Sequence, residues 1–276
     1  MEFSTPHPVR TESDPLYYNL KAPNQWPKEE LLPRFRETYE NYIRQMSDVS
    51  TFFTRLIAES LNLEPTAFDH FFDEDQQHKL KIITYPDKGD GEGQGVGPHK
   101  DSMLTSYLLQ ASPHRGLQVQ NDLDEWIDVA PIPGTLVVAI GQGMEALTDG
   151  VCTSTIHRVV SPPSGSGARY SIAFFQGVSY DASFETMKVP DHVKALRGNA
   201  ATPMSKVEMT FVKGRWNHLG EATLSNRVKS HPDVGEKYYP DMLRQIRQEE
   251  VASKEKAEMT PPHQELKTNG TAITAY

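Results

Sequence analysis

Hydrophobic residues recur every three or four positions between residues 35 and 56, which is the spacing of one helix face. They are Phe35, Tyr39, Tyr42, Met46, Val49, Phe53 and Leu56. Because an α-helix has about 3.6 residues per turn, this spacing predicts a long helix over residues 34–63. Residues 1–33 are instead rich in Pro, Asn, Ser and charged residues, so we expect an irregular N-terminal arm there.

After residue 79 the pattern changes to short β-rich runs that are separated by Gly, Pro, Asp and Asn. The runs are LKIITY (80–85), LTSYLLQ (104–110), LQVQ (117–120), EWIDV (125–129), TLVVAI (135–140), TSTIHRVV (153–160) and RYSIAFF (169–175). Closely spaced short runs of this kind predict an all-β sandwich or barrel, here with its core over residues 79–177.

Helical signals return after the β-rich region, so we expect a C-terminal helical part over residues 190–248. Residues 249–276 are polar and charged, and they are expected to form a disordered tail. The sequence therefore predicts a single domain over residues 34–248, with an all-β core and helical flanks (α+β). A glycine-rich stretch at 89–97 lacks the Lys-Ser/Thr ending of a phosphate-binding loop and is expected to be a mobile loop.

The composition is that of an ordinary globular chain of 276 residues, with 37% hydrophobic and 24% charged residues. The sequence has neither an apolar run long enough to span a membrane nor a secretory signal pattern, so we expect a cytoplasmic protein without a membrane partner. A formal net charge of −9 argues against nucleic acid as the main partner. Because this charge repels anions, an acidic ligand needs a specific cation inside a pocket.

A His-x-Asp motif at His99 and Asp101 is the first candidate for chemistry. In an extended segment these two side chains point to the same side and can bind one ion. With ten histidines and sixteen aspartates in the chain, about 0.6 such motifs are expected by chance, so the motif alone is a weak signal. A second copy at residues 231–233 is interpreted as a helix start, with its proline and aspartate in the first turn.

The first copy differs from the second because further candidate residues follow it. His157 lies in a later β-run, and Arg169 and Ser171 share a face of the next one. Two histidines and one carboxylate can hold non-haem Fe(II) and leave other coordination positions open. A guanidinium group is suited to binding a carboxylate, and a nearby hydroxyl can add a further hydrogen bond.

Residues 97–176 resemble the catalytic core of the isopenicillin N synthase-like iron(II)/2-oxoglutarate-dependent dioxygenases. The resemblance rests on His-x-Asp at 99–101, a second histidine before Arg-Val at 157–159, and Arg-x-Ser at 169–171. It implies a double-stranded β-helix (jelly roll) whose two sheets enclose the iron. It also implies that His99, Asp101 and His157 are the iron ligands.

By the same resemblance, Arg169 and Ser171 hold the distal carboxylate of 2-oxoglutarate, together with Tyr85. The implied reaction uses O2 and releases succinate and CO2. Phe175 matches an aromatic position that contacts substrate in some relatives, and Leu117 and Met103 are further candidates for the pocket wall.

The predicted function is therefore hydroxylation, desaturation or ring formation on a small organic molecule, within natural-product biosynthesis. An alternative is an iron oxidase of the same fold that does not use 2-oxoglutarate, in which Arg169 and Ser171 hold a substrate carboxylate. A second alternative is a non-catalytic jelly-roll binding module, although three iron ligands beside an oxo-acid site argue against it.

The sequence departs from this family in three places. Most relatives carry an N-terminal region ahead of the long helix that is missing here, so the chain is either a short member or part of a longer one. That loss would leave a sheet edge open, which either residues 1–33 or a second subunit in a homodimer would have to cover. Gln142 stands where relatives usually have an acidic residue, and an asparagine common near Tyr85 is absent.

Overall fold

Each β-rich run of the sequence forms a strand in the computed structural model, which describes residues 1–72, 76–87, 93–183, 185–196 and 216–259. The strands are β1 (Glu2–Ser4), β2 (Lys79–Tyr85), β3 (Gln94–His99), β4 (Thr105–Gln110), β5 (Leu117–Gln120), β6 (Trp126–Asp128), β7 (Val137–Ile140), β8 (His157–Val160) and β9 (Arg169–Gln176). The α-helices are α1 (Phe35–Ser60), α2 (Gln142–Leu147), α3 (Asp191–Leu196), α4 (Leu219–Ser230), α5 (Pro232–Tyr238) and α6 (Pro240–Met259).

The strands form two antiparallel sheets. One has five strands in the order β1-β2-β9-β4-β7, and the other has four in the order β3-β8-β5-β6. Strands that are neighbours in a sheet are mostly distant in sequence, because the chain crosses repeatedly from one sheet to the other. Two packed antiparallel sheets with such crossovers form a jelly roll. The predicted fold class, an all-β core with helical flanks, is therefore confirmed.

The two faces of the five-stranded sheet have different partners. On the inner face, Tyr85 packs against Leu117 and Val159 of the other sheet. On the outer face, Leu80 and Phe174 are buried against helix α1. Because side chains alternate along a strand, every second residue of β9, beginning with Arg169, lies on the inner face.

Helix α1 covers the outer face with a stripe that the hydrophobic pattern identifies only in part. Its buried residues are Tyr39, Ile43, Met46, Ser50, Thr54 and Ala58. The predicted face is wrong in the second half of the helix, where Val49 and Leu56 are exposed. The stripe passes through two hydroxyl residues because they are hydrogen bonded; the Gln176 side chain, for example, donates to Thr54 Oγ1 at 2.9 Å.

The N-terminal arm contains two short elements, although the sequence predicts none there. Glu2–Ser4 pairs antiparallel with β2, and Leu16–Leu20 forms a 3₁₀-helix. The aromatic ring of Phe3 stacks on Trp26 and meets Tyr39 edge-on, with ring centres 4.8 and 4.9 Å apart. The arm therefore covers the β2 edge of the sheet within the same chain.

Three other segments differ from the sequence prediction. Residues 94–97 of the glycine-rich stretch at 89–97 belong to strand β3 rather than to a loop, whereas residues 89–92 of this stretch lie outside the described residues. Strand β8 begins at His157, later than the run at 153–160 predicts, and helix α2 is not predicted at all. The second His-x-Asp copy does begin a helix, with Pro232 as the first residue of α5.

The chain divides into two compact units, Met1–Leu224 and Ser225–Tyr276. The first unit contains both sheets. In the second, helices α5 and α6 pack closely, and Gly235 approaches the side chains of Leu243 and Val228. The predicted boundaries of the single domain stay a prediction, and residues 260–276 of the predicted tail lie outside the described residues. No helix among the described residues is both long and apolar enough to cross a membrane.

Candidate active site

The pairing of β3 with β8 brings two histidines together. His99 is the last residue of β3 and pairs with His157, the first residue of β8. Their ring centres are 4.3 Å apart. Asp101 follows β3 by two residues and lies next to both rings, so the strand register assembles three side chains from distant parts of the sequence.

The three side chains present their donor atoms to one point. Asp101 Oδ1 lies 3.7 Å from His99 Nε2, and Asp101 Oδ2 lies 3.7 Å from His157 Nε2. One ligand atom from each residue falls within 4.8 Å of the other two. Asp101 Oδ2 is buried and has no hydrogen-bond partner among the described residues. A buried oxygen without a partner is unfavourable, and a bound cation would satisfy it.

Both histidines are held so that Nε2 faces the carboxylate. His99 Nδ1 lies 2.8 Å from the carbonyl oxygen of Gly97, and His157 Nδ1 lies 3.1 Å from that of Thr155. Each carbonyl oxygen accepts a hydrogen bond from Nδ1–H, which leaves the Nε2 lone pair for a metal. Burial lowers the pKa of His99, and the neighbouring His157 acts in the same direction. The Nε2 atoms of two histidines together with one carboxylate form a ligand set that fits Fe(II).

Arg169 is buried inside the jelly roll, opposite Tyr85 in the β2 and β9 pair. Its side chain is among the largest fully buried ones, with 1% of the residue exposed. Nη2 donates to Gln110 Oε1 at 3.1 Å, whereas Nε and Nη1 have no partner among the described residues. Burial lowers the pKa of the guanidinium, and Tyr85 opposes that shift. A buried cation with unpaired N–H groups fits an anionic ligand such as a carboxylate.

Arg169 faces the same interior as the histidines. Ser171 follows Arg169 on the inner face of β9, is 2% exposed, and lies opposite Gln110 of β4. Ala173 comes next and lies opposite Lys81 of β2. On the other sheet, Val159 shares a face of β8 with His157 and packs against Tyr85, which lies opposite Arg169. The anion end and the metal end therefore belong to one interior.

The three side chains predicted for the substrate wall lie in different surroundings. Phe175 is half-buried at the end of the inner row of β9, and Lys81 Nζ lies 5.6 Å from its ring centre. Leu117 is buried against Tyr85, at the Arg169 end of the interior. Met103 lines a narrow apolar cavity beside Leu147. The structure does not bring these three residues together.

Sequence reasoning missed several residues of this interior. Gln110 appears in the sequence only as the last letter of a β-run, and Lys81 as one of two lysines near a strand start. The signal that could have found them is alternation, because both fall on the inner face once the register with β9 is known. That register involves strands that are far apart in the sequence.

A jelly roll that holds two histidines and one carboxylate near a buried arginine defines the class of non-haem metal oxygenases. Residues 76–178 match the family model of the 2OG-Fe(II) oxygenase superfamily. The chain is 60% identical over 271 residues to the 2-oxoglutarate-dependent dioxygenase frbJ of Dothideomycetidae sp. (strain 11243), covering 95% of this chain and 73% of frbJ. The chain belongs to the 2OG-Fe(II) oxygenase superfamily.

Two further relatives carry names that bear on cofactors and substrates. A homoarginine-6-hydroxylase of Arabidopsis thaliana is 33% identical over 175 residues, which is 62% of this chain and 52% of that enzyme. The crystal structure of JOX2 in complex with 2OG, Fe and JA matches 68% of this chain and 52% of its own, with a TM-score of 0.56 and 28% identity. This chain thus spans about half the length of these two relatives.

The predicted enzyme class and cofactors are confirmed. The protein is an oxidoreductase of the dioxygenase class that uses Fe(II) and 2-oxoglutarate and acts on a small molecule.

Proposed function

We propose that this protein hydroxylates, desaturates or cyclises a small organic molecule in natural-product biosynthesis, with succinate and CO2 as coproducts. The observation that carries this proposal is the set of His99, Asp101 and His157, whose ligand atoms lie within 4.8 Å of one another. They line the same interior as Arg169, a buried cation with two unpaired nitrogen atoms.

In this proposal His99, Asp101 and His157 would hold Fe(II), with 2-oxoglutarate and O2 as the co-reactants. When bound, the iron and the 2-oxoglutarate supply the oxidising chemistry. The chain positions these groups. The carbonyl oxygens of Gly97 and Thr155 keep the Nδ1 protons in place, so that both Nε2 atoms stay available as ligands.

Arg169 and Ser171 are proposed to bind the distal carboxylate of 2-oxoglutarate, and Tyr85 lies over this end of the interior. The Arg169 guanidinium carbon lies 5.1 Å from the centre of the Tyr85 ring, which helps to hold its orientation. Leu117 packs against the same ring and excludes water from the anion end. In a water-poor interior the attraction between guanidinium and carboxylate is strengthened.

Strand β2 carries charged side chains where it lies opposite Ala173, and these charges indicate the kind of substrate that could bind there. Lys81 Nζ lies 3.0 Å from Glu2 Oε2, and Lys79 Nζ lies 3.7 Å from Glu2 Oε1. The trio has two positive charges and one negative charge, and a third of the Lys81 side chain is exposed. We propose that the substrate has an acidic group that binds Lys81, with Phe175 against its apolar part.

An amino acid carries such an acidic group, and one relative is named a homoarginine-6-hydroxylase. Amino acids and other small organic acids are therefore the first substrates to test. In the Lys81→Met variant we expect a raised KM for the substrate and an unchanged affinity for 2-oxoglutarate. An unchanged KM would contradict the role of Lys81.

The test of the function begins with anaerobic addition of Fe(II) and 2-oxoglutarate, which should produce the weak visible absorption band of the chelate. A substrate screen in air then measures succinate release. The Asp101→Ala variant is the control and should show neither signal. Substrate oxidation without succinate, or substrate binding without oxidation, would contradict the proposed reaction.

We also propose a cytoplasmic protein without a nucleic-acid or membrane partner. The net charge of −9 supports the absence of nucleic acid from its main partners. Cell fractionation tests the location. Strand β1 pairs with the β2 edge, which either residues 1–33 or a second copy was expected to cover. The homodimer stays a prediction, and light scattering measures the oligomeric state.

A further inference from the structure

Helix α2 lies against the segment that carries His99 and Asp101. The backbone N–H of Gln142 donates to the carbonyl oxygen of Asp101 at 2.7 Å, and that of Gly143 donates to Met103 at 3.2 Å. A Cβ atom at Gly141 would lie 2.0 Å from the Met103 carbonyl oxygen, so the close approach requires glycine there. The start of this helix is thus fixed to the His-x-Asp segment.

Glu145 extends this connection to the segment that carries the second histidine. Lys100, which lies between His99 and Asp101 in sequence, places its Nζ 3.0 Å from Glu145 Oε2. Ser154 donates to the same oxygen through both its hydroxyl and its backbone N–H, the latter at 3.2 Å. One carboxylate oxygen therefore accepts hydrogen bonds from both ligand-bearing segments.

This contact is buried, and a gain in fold stability is a poor explanation for it. The side chains of Lys100 and Glu145 are 3% and 14% exposed. Removing two charges from water costs about as much as their attraction returns, so apolar residues of similar size would stabilise the fold equally well. A charged contact fixes geometry better than an apolar one, because it requires a particular distance and direction.

The pairing of β3 with β8, which connects the His99 segment with the His157 segment, is irregular. It therefore defines the spacing of these two segments less well than a regular ladder would. The β3 and β8 register shifts twice, between Gln94 and Val96 and again between Val96 and His99. The pair formed by His99 and His157 lies at the end of this irregular ladder. A second connection is needed if the imidazoles and the carboxylate are to keep one spacing.

We propose that Glu145 is a positioning residue that sets the distance between the His99 and Asp101 pair and His157, and thereby the metal affinity. The proposal rests on the proposed function, in which these three residues bind Fe(II). Glu145 itself does not contact the metal in this proposal. It acts through Lys100 on one side and Ser154 on the other.

The experiment compares Glu145→Gln with the wild type in metal binding, without turnover. Purified protein is titrated with Co(II) in competition with a chelator, and the visible spectrum of the Co(II)-loaded protein reports the coordination geometry. We expect a metal affinity about 10- to 100-fold weaker in the variant, with an altered spectrum. The metal-free variant should also melt earlier, because the change leaves the buried Lys100 cation without its charged partner, so metal affinity and spectrum are the measurements that test positioning.

Two conservative comparisons separate positioning from packing. Lys100→Arg keeps a cation that can reach Glu145 and should retain near-normal metal affinity, whereas Lys100→Met should behave like Glu145→Gln. Asp69→Asn is the matched control, because it removes a carboxylate that pairs with Arg55 away from the site. It should leave the Co(II) affinity and spectrum unchanged. If Glu145→Gln fails to fold, Ser154→Ala tests the same proposal, because it removes only the hydroxyl that donates to Glu145 Oε2.

The proposal is overturned if Glu145→Gln and Ser154→Ala bind Co(II) with normal affinity and a normal spectrum, whatever their melting temperatures. Glu145 would then stabilise the fold without positioning the ligands. Failure of the proposed function looks different, because Co(II) would bind Asp101→Ala as tightly as the wild type. That result concerns the ligand set and does not depend on Glu145.

Discussion

Replacing Arg169 with methionine is expected to weaken 2-oxoglutarate binding without destabilising the unliganded fold. The guanidinium is buried, its Nε and Nη1 have no partner among the described residues, and burial lowers its pKa. All three observations indicate that the unliganded protein bears an unfavourable charge. Methionine carries no charge and fills much of the same space, although its side chain is two atoms shorter than that of arginine.

The Arg169→Met change is expected to have a small effect on the stability of the unliganded protein and a large effect on the 2-oxoglutarate Kd. Loss of the guanidinium leaves Gln110 Oε1 without its donor, which costs about 1 kcal/mol and offsets part of the gain in stability. In the complex, loss of one partner of a buried charge pair costs about 2–5 kcal/mol, which corresponds to an increase in Kd of about 30- to 4,000-fold. Arg169→Lys keeps the charge but loses the planar fork, so its Kd should lie between the two.

The assay titrates 2-oxoglutarate into the anaerobic Fe(II)-loaded protein and follows the visible absorption band, and a thermal melt without 2-oxoglutarate measures stability. Arg115→Met is the matched control, because Arg115 is exposed and pairs with Asp128 outside the interior. A normal 2-oxoglutarate Kd in Arg169→Met would refute the assignment of Arg169 to the distal carboxylate. A markedly lower melting temperature would refute the argument that this charge is unfavourable in the unliganded protein.

Three further predictions follow from other parts of the structure. Asp101→Ala should purify without iron and without activity, and metal analysis that finds a full equivalent of iron would contradict the ligand set. Burial lowers the pKa of His78 from 6.5 to about 4, so the stability due to its neutral form is present above pH 6.5 and declines as the pH falls towards 4. Urea unfolding should therefore show about 2 kcal/mol less stability at about pH 5 than at about pH 7, and His78→Gln should lose most of that difference. Phe174→Ala should destabilise the protein by about 3–5 kcal/mol, because its ring is fully buried between the sheet and α1; a loss under 1 kcal/mol would argue against that packing.

The sequence predicts the β-core well because each strand carries its own alternating pattern and is bounded by turn residues. It predicts the candidate ligands His99 and Asp101 because they are two residues apart, and His157 because a family motif surrounds it. Local patterns cannot predict that a carboxylate oxygen of Glu145 contacts both segments that carry the candidate ligands. Glu145 is an ordinary acidic residue in the sequence, and its two partners are 45 and 9 residues away.

The errors have equally specific causes. Strand β1 is three residues long, which is too short for a periodic pattern, and it forms because β2 offers an edge to pair with. The face of α1 is misplaced because Ser50 and Thr54 look like surface residues until their hydrogen-bond partners are known. The burial of Arg169 is also invisible in the sequence, since a strand arginine usually faces solvent.

The separation between the two ends of the interior has a consequence for the choice of cosubstrate. Arg169 and Ser171 lie on β9 of the five-stranded sheet, whereas His99 and His157 lie on β3 and β8 of the four-stranded sheet. The packing of one sheet on the other therefore sets the distance between the guanidinium and the metal ligands. A 2-oxo diacid one carbon shorter or longer than 2-oxoglutarate is expected to bind more weakly for this reason.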